Sequence, residues 1–222
     1  MLLSSMLVSC KTSNEQPQYK SSDLQMELAR GDVWKIEICE LVPRRGEVVC
    51  DVKYTKFYTD EEGLLMSSIS DFEEKEYLFD ALREVGGENN TIIISRNADN
   101  QMTDMRIEDS QVWDSYTWQY DSLGYMKKRS ANYFEAGQSI EYIYNEKYEL
   151  VKEKIQFYCH EGSEDITREF SDIAYDSYNN WYFRKVDECT IKTDDYTSRV
   201  KRSSKTYYEL RRIYYKESES IE

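Results

Sequence analysis

Catalysis at neutral pH needs nucleophiles, bases or metal ligands brought together, and this sequence is poor in them. His160 is the single histidine of 222 residues, which excludes any site built on two histidines of one chain. It also leaves one base for a Ser-His-acid triad, and no serine stands in the G-x-S-x-G elbow that exposes such a nucleophile. Cys159 adjoins His160, but neighbours on a strand point to opposite faces, so the pair is badly placed to share an ion. No C-x-x-C and no phosphate-cradling glycine loop is present. The acidic runs Asp60-Glu61-Glu62 and Asp194-Asp195 fit solvated turns better than an EF-hand loop. With 43 Asp and Glu, some pair must fall at glycosidase spacing by chance, and no linear pattern singles one out. The expectation is a non-enzymatic chain with no metal and no cofactor.

Aromatic side chains are the remaining source of chemistry: 20 Tyr, 7 Phe and 4 Trp. Trp113, Tyr116, Trp118, Trp181 and Tyr182 could stack on sugar rings or on a partner's side chains, as Tyr and Trp do at interfaces. The competing role is structural. Tyr116, Trp118 and Tyr120 fall on one face of a strand, and cross-strand aromatic pairs hold sheets together.

Cys39 and Cys50 flank one hairpin turn, which makes a disulfide tempting. Alternation argues against it: Cys50 falls in phase with Ile36 and Ile38, and Cys39 points the other way unless the register slips by a residue. Cys159 and Cys189 are placed on strands separated by the one around Ile173, too far apart to bond. All four are expected to act as small, reduced apolar residues.

The elements that must position these groups are mostly extended. Residues 21–30 suit one short helix. From Asp32 onward the pattern alternates: Trp34, Ile36 and Ile38 against Lys35, Glu37 and Cys39, then a turn at Pro43–Gly46 and a second strand through Val48, Val52 and Tyr54. Later, Tyr208, Leu210 and Arg212 alternate with Tyr207, Glu209 and Arg211. The exception is 70–85, where Ser70 with Glu73 suits a capping box and Gly86-Gly87 a stop, so a second helix is expected there, with a long edge hairpin through Tyr77, Phe79 and Leu82 as the alternative.

Between the extended segments runs an internal repeat. Tyr120-Asp121-Ser122-Leu123-Gly124 aligns with Tyr144-Asn145-Glu146-Lys147-Tyr148 and with Tyr175-Asp176-Ser177-Tyr178-Asn179. Weaker copies begin at Arg96 and Tyr58. In each, Tyr ends a strand, Asp or Asn starts the turn by bonding backbone groups further on, and Gly or Asn suits the positive φ of a hairpin. These turns resemble the YD repeats of bacterial RHS-type envelope and secreted proteins, and the YD-like repeats of lipoproteins common in Bacteroidota. The resemblance implies β-sheets that curl around themselves and carry no catalytic group of their own.

Residues 1–10, MLLSSMLVSC, are too short an apolar run to span a bilayer but suit the core of a signal peptide. Leu7-Val8-Ser9-Cys10 resembles the lipobox of bacterial lipoproteins. That resemblance implies cleavage before Cys10 and lipidation of its thiol, with acyl chains that anchor the protein to a membrane. The polar stretch 11–22 looks like a tether.

The net charge is −14, from 29 Lys and Arg against 43 Asp and Glu, which excludes a nucleic-acid partner. The expected protein is mainly β. Residues 1–9 are a signal peptide and 10–22 a lipidated cysteine with its tether. Residues 23–222 form a single domain, an antiparallel meander of YD-like β-hairpin repeats with one or two short helices. It would serve at the bacterial cell envelope as a structural or binding module with a protein or glycan partner. The alternatives are an acidic immunity or inhibitor protein and a glycan-binding lipoprotein.

Overall fold

A computed structural model describes residues 19–45, 47–58, 65–70, 75–78, 91–108, 113–133 and 135–216. Cys10, the lipobox and most of the tether lie outside them. A short helix α1 (Ser22–Met26) is followed by β1 (Val33–Arg44), β2 (Glu47–Tyr58), β3 (Leu65–Ser70), β4 (Lys75–Leu78), β5 (Thr91–Arg96), β6 (Met102–Glu108) and β7 (Trp113–Tyr120). Then come β8 (Met126–Tyr133), β9 (Ala136–Tyr144), β10 (Leu150–Cys159), β11 (Gly162–Tyr175), β12 (Trp181–Asp194) and β13 (Arg199–Tyr215). All belong to one 13-stranded sheet in the order β4-β3-β2-β1-β13-β12-β11-β10-β9-β8-β7-β6-β5, and every pairing is antiparallel. The fold is the expected mainly β meander, closed into one sheet by the pairing of its first strand with its last.

Four hairpin turns share one hydrogen-bond plan. The Oδ1 of Asp121 accepts from the N–H groups of Leu123 and Tyr125, and that of Asp176 from Tyr178 and Asn180, all at 2.9 Å. Asn145 does the same for Lys147 and Glu149, and Asn97 for Asp99 and Gln101. One residue of each turn takes positive φ: Asn100 at 59°, Gly124 at 84°, Tyr148 at 60° and Asn179 at 63°. Gly and Asn suit this conformation; Tyr does not, and its ring stacks on Tyr125 with centroids 4.8 Å apart. In three of the four, the tyrosine before the turn fastens neighbouring hairpins. Tyr120 donates to the carbonyl of Met102 at 2.7 Å and Tyr144 to that of Met126 at 2.9 Å, while Tyr175 donates to the Glu149 carboxylate at 2.9 Å. The copy at Tyr58 runs through residues 59–64, outside the described residues.

The sheet is curled. β1 and β2 stand near one end of the strand order and β6, β7 and β8 near the other. Yet Ile36, Ile38 and Tyr58 share one core with Met102, Met105, Tyr116, Trp118 and Met126. Only a sheet rolled around its inner face brings these residues together.

Three local expectations are corrected. Lys75–Leu78, assigned to a helix by sequence, is the edge strand β4; the helical spacing competed there with residues that also suit an edge hairpin. The residues between β4 and β5 lie outside the described set. A register shift between Val33 and Lys35 sends Trp34 to the outer face, against Phe57 and Tyr214, instead of leaving it with Ile36 and Ile38. The third concerns Cys39 and Cys50, which form a disulfide with Cα atoms 5.4 Å apart. A bulge where Ile38 faces Tyr54 but Cys39 faces Val52 supplies the one-residue slip that brings the pair to one face. Cys159 and Cys189 are free and partly exposed, with β11 between their strands.

Candidate functional site

Antiparallel alternation puts the four repeated turns at one rim of the rolled sheet, together with the start of β1 and the end of β13. The segment before β1 sits in that rim. Ser21 caps α1 by accepting from Leu24 N at 3.1 Å, and Leu24 and Ala29 are fully buried. Asp23 is buried too and takes a two-pronged contact from Arg96, at 2.7 and 2.9 Å. Gln25 donates to Leu123 O at 3.1 Å. On the other side, Asn180 is wholly buried and bonds both backbone groups of Arg30, accepting at 2.6 Å and donating at 2.8 Å. Its amide also donates to the Tyr215 hydroxyl, which donates in turn to Asp176. The turn side chains thus do two jobs: they shape the hairpins, and they hold the helix that plugs the mouth.

Below the plug lies a cavity of ≈ 470 Å³. Its wall mixes Met102, Met105, Met126, Tyr116, Trp118, Tyr142, Tyr144 and Trp181 with five cationic side chains, Lys56, Arg129, Arg168, Arg184 and Arg211. Its carboxylates are Glu27 and Glu153. Alternation explains the charges: Arg184, Val186, Glu188 and Thr190 are the buried positions of β12, and Tyr207, Glu209 and Arg211 those of β13. The inner face of these strands is therefore charged.

Most of these charges are paired. Arg184 holds Glu209 at 2.6 Å, Arg168 holds Glu188 at 2.9 Å, and Glu27 pairs with Lys56. Arg184 lies 3.6 Å over the Phe170 ring and 4.1 Å over the Trp181 ring. Burial alone would push the Glu27 carboxyl up, but Lys56, Arg211 and Arg129 outweigh it and hold the group below the usual carboxylate range. Burial wins at Glu153, whose carboxyl is pushed up despite Arg184 and Arg168. Arg211 differs from the rest. It is 2% exposed, its Nη2 donates to the backbone carbonyl of Glu27 at 2.7 Å, and its Nε and Nη1 have no hydrogen-bond partner among the described residues. Arg129 Nε and the Tyr58 hydroxyl are likewise buried and unpartnered.

Of the aromatics singled out by sequence, Tyr116, Trp118 and Trp181 meet in the cavity wall. Tyr116 and Trp118 stack on each other with centroids 6.2 Å apart, so they also pack the fold. Tyr182 lies on the outer face, 42% exposed, and Trp113 opens β7 with its side chain outside the described set. Sequence reasoning missed Arg129, Arg184 and Arg211, the groups with most chemistry. The available signal was charge in phase with apolar residues on strands whose other face is polar as well. Among the described residues no three His, Cys, Asp or Glu are grouped as metal ligands would be, and no described helix is long and apolar enough to cross a membrane.

No family model and no curated protein matches this chain. Among solved structures it is similar to a porin-like protein from Bacteroides uniformis, with a TM-score of 0.38 and 10% identity over 82% of this chain and 96% of that one.

Proposed function

We propose that this chain is a non-enzymatic binding module, a lipoprotein of the bacterial envelope tethered through Cys10, whose ligand compartment is the interior of the rolled sheet. One observation carries the binding role: a plugged roll of strands that keeps a cavity of ≈ 470 Å³ among aromatic, methionine and arginine side chains instead of filling it. That volume falls in the range of about 300–1,000 Å³ typical of small-molecule pockets. The outer face supports a solvated module. Exposed polar pairs such as Lys152 with Glu169 at 2.8 Å and Gln156 with Asp165 at 3.2 Å occupy it, where a membrane barrel carries an apolar band.

Native mass spectrometry of the full chain, purified under gentle conditions from envelopes, tests the binding role. The expected result is a small-molecule adduct that is lost on unfolding; a bare protein mass, with no shift in melting temperature across a metabolite library, would overturn it. The anchor is tested separately by Cys10→Ser, which should move the protein from the membrane to the soluble fraction.

A further inference from the structure

The cavity wall has more donors than acceptors. Glu27 is engaged by Lys56, Glu209 by Arg184 and Glu188 by Arg168. Among the described residues Arg211 is left with a backbone carbonyl as its sole acceptor and two nitrogens that donate to none. A guanidinium cannot shed its charge at any pH a cell meets, and a buried, unpaired charge is costly. Its Cζ lies 5.1 Å from the centroid of the Trp181 ring that Arg184 also covers, so an aromatic contact helps hold it in place without satisfying its N–H groups. Counting Lys205, which also reaches Glu188 at 3.4 Å, six cations face four carboxylates, the pair on the wall and the pair held by Arg168 and Arg184. Positive charge is in excess among the described residues, and a small anion reduces it. Beside these donors stand methionines, which adapt to varied shapes, and the flat rings of Trp118 and Trp181.

Resting on the binding role proposed above, we infer that the cavity takes a small monocarboxylic acid. Its carboxylate meets the free N–H groups of Arg211 and Arg129, and its apolar or aromatic skeleton lies among Trp181, Trp118 and the methionines. The planar fork of arginine matches the two oxygens of a carboxylate.

The test is a thermal-shift screen of the full folded chain against aromatic and aliphatic monocarboxylic acids, each beside its own primary amide, with calorimetry on the hits. Acids are expected to bind about ten-fold or more tightly than their amides, the scale of one charge-assisted hydrogen bond. Arg211→Met, which keeps the apolar contact, should bring acid and amide level. If acids and amides bind alike to the unaltered protein, the anion assignment falls and the binding compartment stands. If neither binds, both fall. If the acid's advantage survives in Arg211→Met and in Arg129→Met, these two residues are not its receptors. The acid–amide comparison needs no variant, so a poorly folding substitution leaves it decisive.

Discussion

The plugged rim and the cavity beneath it are built from similar residues and treat polarity in opposite ways. At the rim the buried polar groups close on one another: Asp23 on Arg96, Asn180 on Arg30 and Tyr215, Tyr215 on Asp176. In the cavity, Arg211 and Arg129 keep buried N–H groups without acceptors. The contrast shows that this fold satisfies its buried polar groups at the rim, and on the proposed binding role the unsatisfied ones of the wall are the ligand's receptors. Substitutions at the rim should therefore cost stability, and those on the cavity wall should cost recognition.

The sharpest break comes from Asp23→Ala set against Arg211→Met. Removing Asp23 leaves the largely buried Arg96 side chain without its carboxylate, and losses of about 3–5 kcal/mol follow when one member of a buried pair is removed. Replacing Arg211 by Met removes a charge that makes no close ion pair among the described residues and only helps Lys56 hold Glu27 ionised, so it should leave stability within about 1 kcal/mol. Urea denaturation of both variants measures the difference, and equal costs would dissolve the distinction between rim and cavity.

The disulfide offers a control on the outer wall. Cys39 and Cys50 close a loop of sequence separation 11, and losing the bond should cost about 2–3 kcal/mol through the freed unfolded chain. Because Cys39 stands beside Leu210 and opposite in phase to Ile38 and Arg211, the Cys39→Ser, Cys50→Ser double variant should melt earlier with acid-over-amide preference intact. A change in preference would mean that wall and cavity are coupled.

How far these features could be read from the sequence follows the same division. The turns were legible because their determinants are local: Asp121 and Asp176 reach only two and four residues ahead. The aromatic face of Tyr116, Trp118 and Tyr120 followed from strict alternation. Trp34 and Cys39 were misplaced because each stands beside a bulge, and one extra residue reverses every face beyond it. The strand at Lys75–Leu78 was missed because an edge strand needs little more than a partner, while its sequence also satisfies a helix. For Arg211 the phase with apolar residues was a signal too weak to decide. Its alternation with Arg212 was plain, but which of the two points inward depends on how the sheet curls, and curling is set by strands far apart in the chain.

Within the rim the turns are not equivalent. Asp176 accepts from Tyr178 N, Asn180 N and the Tyr215 hydroxyl, whereas Asp121 accepts from Leu123 N and Tyr125 N. Asp176→Ala should cost about 2 kcal/mol and Asp121→Ala about 1 kcal/mol, seen as an ordered pair of melting temperatures. The reverse order would show that the fastening of β13 to the rim is weaker than its geometry indicates.

In the cavity, pH separates two carboxylates. The Glu153 carboxyl is raised above its ordinary 4.5, so the folded chain binds that proton more tightly than the unfolded one. Stability should fall as pH rises from 4.5 through the raised value, and Glu153→Gln should flatten that fall. Glu27 has the opposite sign. Its lowered value makes its contribution complete above 4.5 and lost as pH drops through the folded value, so Glu27→Gln should flatten the acid limb instead. Urea midpoints across the acidic and neutral range give both slopes, and a Glu153→Gln curve parallel to the parent would show that burial does not govern that group.

The smallest effect probes the irregular turn. Tyr148 takes the left-handed conformation that Gly124 and Asn179 take in the sister turns, at a cost of roughly 1–2 kcal/mol for a residue with a side chain. Its stacking on Tyr125 returns about 0.5–1.5 kcal/mol. Tyr148→Gly removes both terms and should leave stability within about 1 kcal/mol of the parent. Tyr148→Ala keeps the backbone cost and loses the stack, so it should be the less stable of the two variants by about 1 kcal/mol. Tyr125 packs against Tyr144 as well as Tyr148, so a double-mutant cycle over Tyr125 and Tyr148 isolates the stacked pair. A coupling near zero would mean that the third turn tolerates its tyrosine because the surrounding sheet holds it, and not because the rings attract.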